Sequence, residues 1–305
     1  MSFPDKTPRA LVVAALVAVQ VFFGLHYIAA KFIMTAIPPR SWAVLRIVPA
    51  AALLMVIVLI ARPRRLPRQP RDLAAIALFS IFGVVINQVC FVEGLSRTPT
   101  SHSAIINTSI PVATLLIAIL FGRERATRRK LAGIGLSLGG VLYLIGHGGA
   151  MVGGEIVAGD LLNLVNALSY SFFLVISKPI LSRHSSLAVT AELLAFGAIG
   201  ITALGLPQLA TLDLSLVPVS VWWVAILVIL FATVAAYILN TWALKRVESS
   251  MVALFIYLQP VIASVLGVLA LGEPLGVETL VSAALIFTGL GLALRTPAAR
   301  EPVGP

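Results

Sequence analysis

The stretch PVATLLIAILFGRERATRRKLAGIGLSLGGVL, residues 111–142, decides the fold because it recurs as PVIASVLGVLALGEPLGVETLVSAALIFTGLGL, residues 260–292. Each copy runs from a Pro through an apolar segment to a Gly and a Glu, then into a Gly-rich apolar segment. The same offset of 149 carries Leu95, Arg97, Ala104 and Leu136 onto Leu244, Arg246, Ala253 and Leu285. Two related halves therefore stand end to end. Their flanking charge differs: Arg125, Arg128, Arg129 and Lys130 follow Glu124, whereas no Lys or Arg follows Glu273 until Arg295. Basic loops stay on the cytoplasmic side of a membrane, so the two equivalent loops are expected on opposite faces. That is an inverted repeat, a plan shared by many secondary transporters.

Composition agrees with a membrane class. Of 305 residues, 59% are apolar and 11% charged, with a mean hydropathy of +1.04; a soluble domain carries about 25% charged residues. The net charge of +10 does not point to nucleic acid, because the basic residues sit in short clusters between apolar runs and form no stripe along a polar face. A spanning helix needs about 20 mostly apolar residues. Runs of that kind lie at 10–36, 42–61, 73–94, 101–121, 131–149, 160–181, 186–206, 221–243, 250–270 and 279–294. The expected fold is all-α and integral to the membrane: ten transmembrane helices in two inverted five-helix repeats, 10–149 and 156–296, with tails at 1–9 and 297–305. The first run is too long for a signal-peptide core and is read as a retained helix. The lone Cys90 has no partner for a disulfide within the chain.

Orientation follows from the basic residues. With the N-terminus inside, cytoplasmic segments hold 18 Lys and Arg, whereas the outer segments hold 2, Arg40 and Arg97. Both termini are therefore expected in the cytoplasm. Residues 150–159 and 207–220 are read as short outer loops, as a bacterial inner-membrane protein allows.

The two Pro-to-Glu blocks, together with FGLHYIAAK at 23–31 and the downstream Pro38 and Arg46, resemble the tandem EamA-type domains of the drug/metabolite transporter superfamily. The resemblance covers nearly the whole chain. One departure is that the first helix of this family usually opens with Trp-Gly, where this chain has Phe23-Gly24 and, in the second half, Tyr170-Ser171. The resemblance implies a transporter of small metabolites and tilts the cargo to amino acids and the direction to export.

Polar side chains within hydrocarbon need a protein partner or an aqueous cavity. The mid-membrane set comprises His26, Tyr27, Asn87, Gln88 and Asn107 in the first half, and Asn166, Tyr170, Tyr237, Asn240, Tyr257 and Gln259 in the second. These residues occupy the first, third and fourth spans and their mates, the sixth, eighth and ninth. They are the expected lining of a substrate cavity at the repeat interface; the alternative is hydrogen-bonding glue between helices. His26 is the candidate carrier of a coupled proton. His102, His147 and His184 are read as surface residues.

Lys31 with Glu93, and Lys178 with Glu192, are candidate gating pairs near opposite faces, snorkelling of each Lys being the alternative. Pro111 and Pro260 interrupt the helical ladder and are candidate hinges. Glu124 and Glu273 sit at helix ends and are read as structural. Gly133, Gly135, Gly139, Gly140, Gly289 and Gly291 are read as helix-packing positions.

No G-x-x-x-x-G-K-[ST] loop is present, so ATP hydrolysis by this chain is not supported. No HExxH, CxxC or paired-carboxylate motif supports the rival reading, an integral-membrane transferase. No metal or other cofactor and no obligate protein partner is expected. The expected partners are the lipid bilayer and a small-molecule substrate, an amino acid by the resemblance, with no nucleic acid.

Overall fold

The computed structural model describes residues 8–63, 66–122, 127–152, 154–247, 249–272 and 276–294. No strand occurs among them. The helices are α1 (Ala10–Met34), α2 (Pro39–Ala61), α3 (Pro70–Arg97), α4 (Thr100–Leu120), α5 (Arg128–Val152), α6 (Gly154–Arg183), α7 (Ser186–Leu209), α8 (Val219–Arg246), α9 (Phe255–Leu271) and α10 (Val277–Leu294). By length and composition, seven of them (α1 to α4 and α6 to α8) can each cross a membrane among the described residues. Shorter apolar helices run over Leu131–Leu144, Phe255–Leu271 and Val277–Gly289. The chain is a multi-pass membrane protein.

One expected loop is absent. Residues 150–159 are helical on both sides of position 153, as α5 continues to Val152 and α6 begins at Gly154. The segment has no Pro to remove a donor from the helical ladder. In the 207–220 region, α7 runs on to Leu209, and a single 3₁₀ turn, Leu214–Leu216, precedes α8.

The packing brings the two halves together. α2 lies against α7, α3 against α6, α1 against α8 and α9, and α5 against α10. At the α5–α10 contact, Ser137 Oγ donates to the Ile286 carbonyl and Ser282 Oγ to the Gly140 carbonyl. Partners thus descend along α10 as they ascend along α5, so these helices are antiparallel. α2 and α7 are antiparallel as well, with the Arg40 and Ser41 amides donating to Gln208 and Val44 lying over Gly205. Three hydrogen bonds join residues 149 apart: Gln88 with Tyr237, Thr108 with Tyr257, and Ser137 with Ile286.

Close approach depends on small residues. A Cβ on Gly94 would lie 2.9 Å from the Gly159 carbonyl oxygen where α3 crosses α6. Gly140 and Gly289 play that part between α5 and α10, whereas Gly135, Gly139 and Gly291 face open space.

Two helices carry matching irregularities. A π-helical stretch, Ile81–Ile86, lies within α3, and another, Val228–Ala235, within α8. Each ends within two residues of the Gln88 and Tyr237 positions. A π turn inserts an extra residue and so re-aims the side chains that follow it, and such turns are frequent at functional sites. α4 and α9 are also broken alike. α4 interrupts at Thr108 and Ser109, just before Pro111, and a 3₁₀ turn, Phe255–Tyr257, precedes the stretch holding Pro260. Pro cannot donate to the preceding turn; the Thr108 carbonyl accepts from Tyr257 Oη and the Ile110 carbonyl from Ser171 Oγ.

Candidate functional site

Helices α1, α2, α3, α4, α6, α8 and the α9 region enclose a central chamber of about 70 Å³, room for a few waters. Its wall includes His26, Tyr27, Asn87, Gln88, Asn107, Asn166, Tyr170, Tyr237 and Gln259, nine of the eleven cavity residues expected from the sequence. The other two stand behind it. Asn240 Nδ2 donates 2.8 Å to Tyr170 Oη, and Tyr257 reaches the Thr108 carbonyl at 3.1 Å while packing on Phe287 at 5.3 Å.

The wall is a set of linked amides and phenols. Gln88 Nε2 donates to Asn87 Oδ1 at 2.6 Å and to Tyr237 Oη at 2.8 Å, and Asn87 Nδ2 donates to Asn166 Oδ1 at 2.7 Å. Across the chamber, Asn107 Nδ2 donates to Tyr27 Oη at 2.5 Å, Tyr27 Oη to Gln259 Oε1 at 3.2 Å, and Gln259 Nε2 to Gln20 Oε1 at 2.6 Å. Asn107 Oδ1 is buried without a hydrogen-bond partner. Phe91 packs edge-on to Tyr27 and stacks on His26 at 5.2 Å.

Sequence reasoning missed the central charge. Arg46, named from the sequence only in the family resemblance, lines the chamber and is 2% exposed. Its Nη1 lies 2.5 Å from His26 Nε2, and its Nε has no partner. Among the described residues no Asp or Glu lines the chamber. A second cavity, an apolar groove between α1, α8 and α9, meets the chamber at His26 and Ala232.

The expected gating pairs do not form. In place of Lys31, Glu93 accepts from Arg40 Nε at 2.7 Å and from Arg97 Nη2 at 2.8 Å, one guanidinium at each carboxylate oxygen. Lys178 Nζ donates to the Val247 carbonyl at 2.7 Å, and Glu192 Oε2 has no hydrogen-bond partner. At the far end of α3, Asp72 binds Arg183 at 3.1 Å and His184 at 2.7 Å. His102 is also no surface residue: it is buried, with Nδ1 3.3 Å from Asp160 Oδ2. Burial of Asp160 beside α4 explains this, because a buried carboxylate needs a donor. Glu124 and Glu273 lie outside the described residues, as does the side chain of His147. Among the described residues no group of three or more His, Cys, Asp or Glu could hold a metal.

The EamA-like transporter family matches residues 10–146 and 157–295. The uncharacterized transporter YyaM of Bacillus subtilis is 23% identical over 277 residues, covering 90% of each chain. The uncharacterized inner membrane transporter YedA of Escherichia coli K12 is 25% identical over 276 residues, 90% of this chain and 87% of YedA. A solved crystal structure shares the fold at a TM-score of 0.66 and 21% identity, with 94% of this chain and 98% of that one covered. These relatives are named as transporters, not enzymes. The chain belongs to the EamA-like transporter family.

Proposed function

We propose that this protein is a secondary transporter of small metabolites, amino acids moved outward, working by alternating access around the central chamber. One observation carries the reading: polar groups from both halves, scattered over more than 230 positions of sequence from Tyr27 to Gln259, converge on one buried chamber. Glue between helices would satisfy each polar atom, yet Asn107 Oδ1 stays unmet at the wall; an ammonium group suits such an acceptor.

The proposed architecture is ten membrane-crossing helices in two inverted repeats, 10–149 and 156–296, with both termini cytoplasmic. Support for inversion comes from the antiparallel packing of α5 on α10 and of α2 on α7, each pair equivalent in the two halves. The lysine and arginine distribution supports the orientation. In that frame Arg40, Glu93 and Arg97 form an outer closure and Asp72, Arg183 and His184 an inner one, with Pro111 and Pro260 as hinges. The bacterial inner membrane is the proposed location, and His26 the proposed site of any proton coupling.

Purified protein in proteoliposomes tests this. Counterflow of at least one amino acid from a panel, with and without an imposed pH gradient, is expected. Absence of flux for every member would overturn the cargo assignment.

A further inference from the structure

We propose that the Arg46 guanidinium is the receptor for a single carboxylate on the transported molecule, with His26 occupying the guanidinium until that carboxylate displaces it. The proposal rests on the chamber being the cargo site.

Arg46 is held near the centre of the bundle, where an ion is costly and marks a substrate path or a buried pair. Its pair is incomplete. A guanidinium carries five N–H donors in a planar fork; among the described side chains only the imidazole of His26 accepts from it, and the buried Nε has no acceptor at all. Trp42 lies under the guanidinium at 5.9 Å and contributes a ring face, not an acceptor. Among the described residues no carboxylate lines the chamber, and Glu93 is already committed to Arg40 and Arg97. No described residue supplies the counter-charge, which leaves that role to the cargo.

The fork selects the chemistry. A planar carboxylate matches two parallel N–H donors. Among the described residues Arg46 is the one fixed positive charge lining the chamber; a singly charged anion is balanced there, and a phosphate dianion is not. His26 suits the placeholder role because a neutral imidazole nitrogen is an acceptor. Its ring is also held by stacking on Phe91, a contact that does not involve the guanidinium.

The test uses the full-length protein in detergent, with thermal stabilisation and tryptophan fluorescence as readouts. The probes are the twenty amino acids, acetate through hexanoate, the corresponding amides and amines, and inorganic phosphate. At least one carboxylate is expected to bind, with its amide and amine at least tenfold weaker. R46Q should lose at least tenfold in affinity, R46K should recover part of it, and H26A, which removes the competing imidazole, should bind more tightly than the parent. A single symmetric peak in size-exclusion chromatography identifies folded variants; R46K carries the comparison where R46Q fails to fold. Binding of no carboxylate, equal binding of amide and acid, equal binding of phosphate, or unchanged affinity in folded R46Q would each overturn the proposal. Arg46-dependent binding without flux would sink the transport reading alone. Flux of a neutral or cationic molecule that R46Q leaves intact would sink the carboxylate receptor alone.

Discussion

Gln88 Nε2 donates to Tyr237 Oη at 2.8 Å, and the two residues stand at the same place in the two halves of the chain, 149 positions apart. Each lies just after a π-helical stretch, and Gln88 shares its amide with Asn87, which in turn binds Asn166. The bond ties the middle of α3 to the middle of α8 at the chamber wall.

Apolar replacement in this network should therefore cut transport more than stability. N87L, N166L and Y237F are each expected to lower flux at least tenfold in proteoliposomes. Folded yield should hold, because one interhelical hydrogen bond in a membrane is worth about 0.6–2 kcal/mol. Full transport in all three variants would return these residues to a purely packing role.

Orientation is tested by labelling intact cells with an impermeant maleimide, in a variant whose lone Cys90 is replaced by Ser. A cysteine at Glu155, whose side chain is 87% exposed, is expected to react from outside, and one at Gln69 to be spared. The opposite pattern would reverse the proposed topology.

The cluster of Arg40, Glu93 and Arg97 joins the start of α2 to the end of α3. If it closes the outer face, E93Q should raise the rate at which a cysteine at the chamber residue Ile110 reacts from outside, by about fivefold per kcal/mol of lost closure. K31Q should raise that rate less than E93Q does, since the two arginines bond both Glu93 oxygens. An equal effect of both variants would assign the closure to some other contact.

Gly94 meets Gly159 where α3 crosses α6, and a Cβ on Gly94 would lie 2.8 Å from Asn163 Cγ. Overpacking of this kind costs about 1–3 kcal/mol. G94A is expected to melt earlier than the parent in detergent, whereas G139A, which faces open space, should melt with it. Equal melting of the two variants would remove the tight crossing from the account.

Much of this protein is legible in the chain itself. Hydrophobic runs mark most of the helices because a membrane span must be apolar over its whole length, and the recurrence of the Pro-to-Glu block exposes the two halves. Polar residues inside apolar runs are equally visible, which is how nine chamber residues could be named in advance. Sequence could not say which way a polar side chain faces. Asn240 and Tyr257 fall behind the wall, and Arg46 turns into it, because the facing of a residue is set by helix rotation and by π turns that leave no pattern in VILFATVA at 228–235. Ion pairing was likewise a tertiary decision. Lys31 and Glu93 looked like partners by depth, but the approach of α2 brings Arg40 to one carboxylate oxygen while Arg97, one turn along α3, takes the other. Composition and periodicity determine which segments enter the membrane; only the packing of one helix on another decides which polar groups meet, and which are left unmet for a cargo to satisfy.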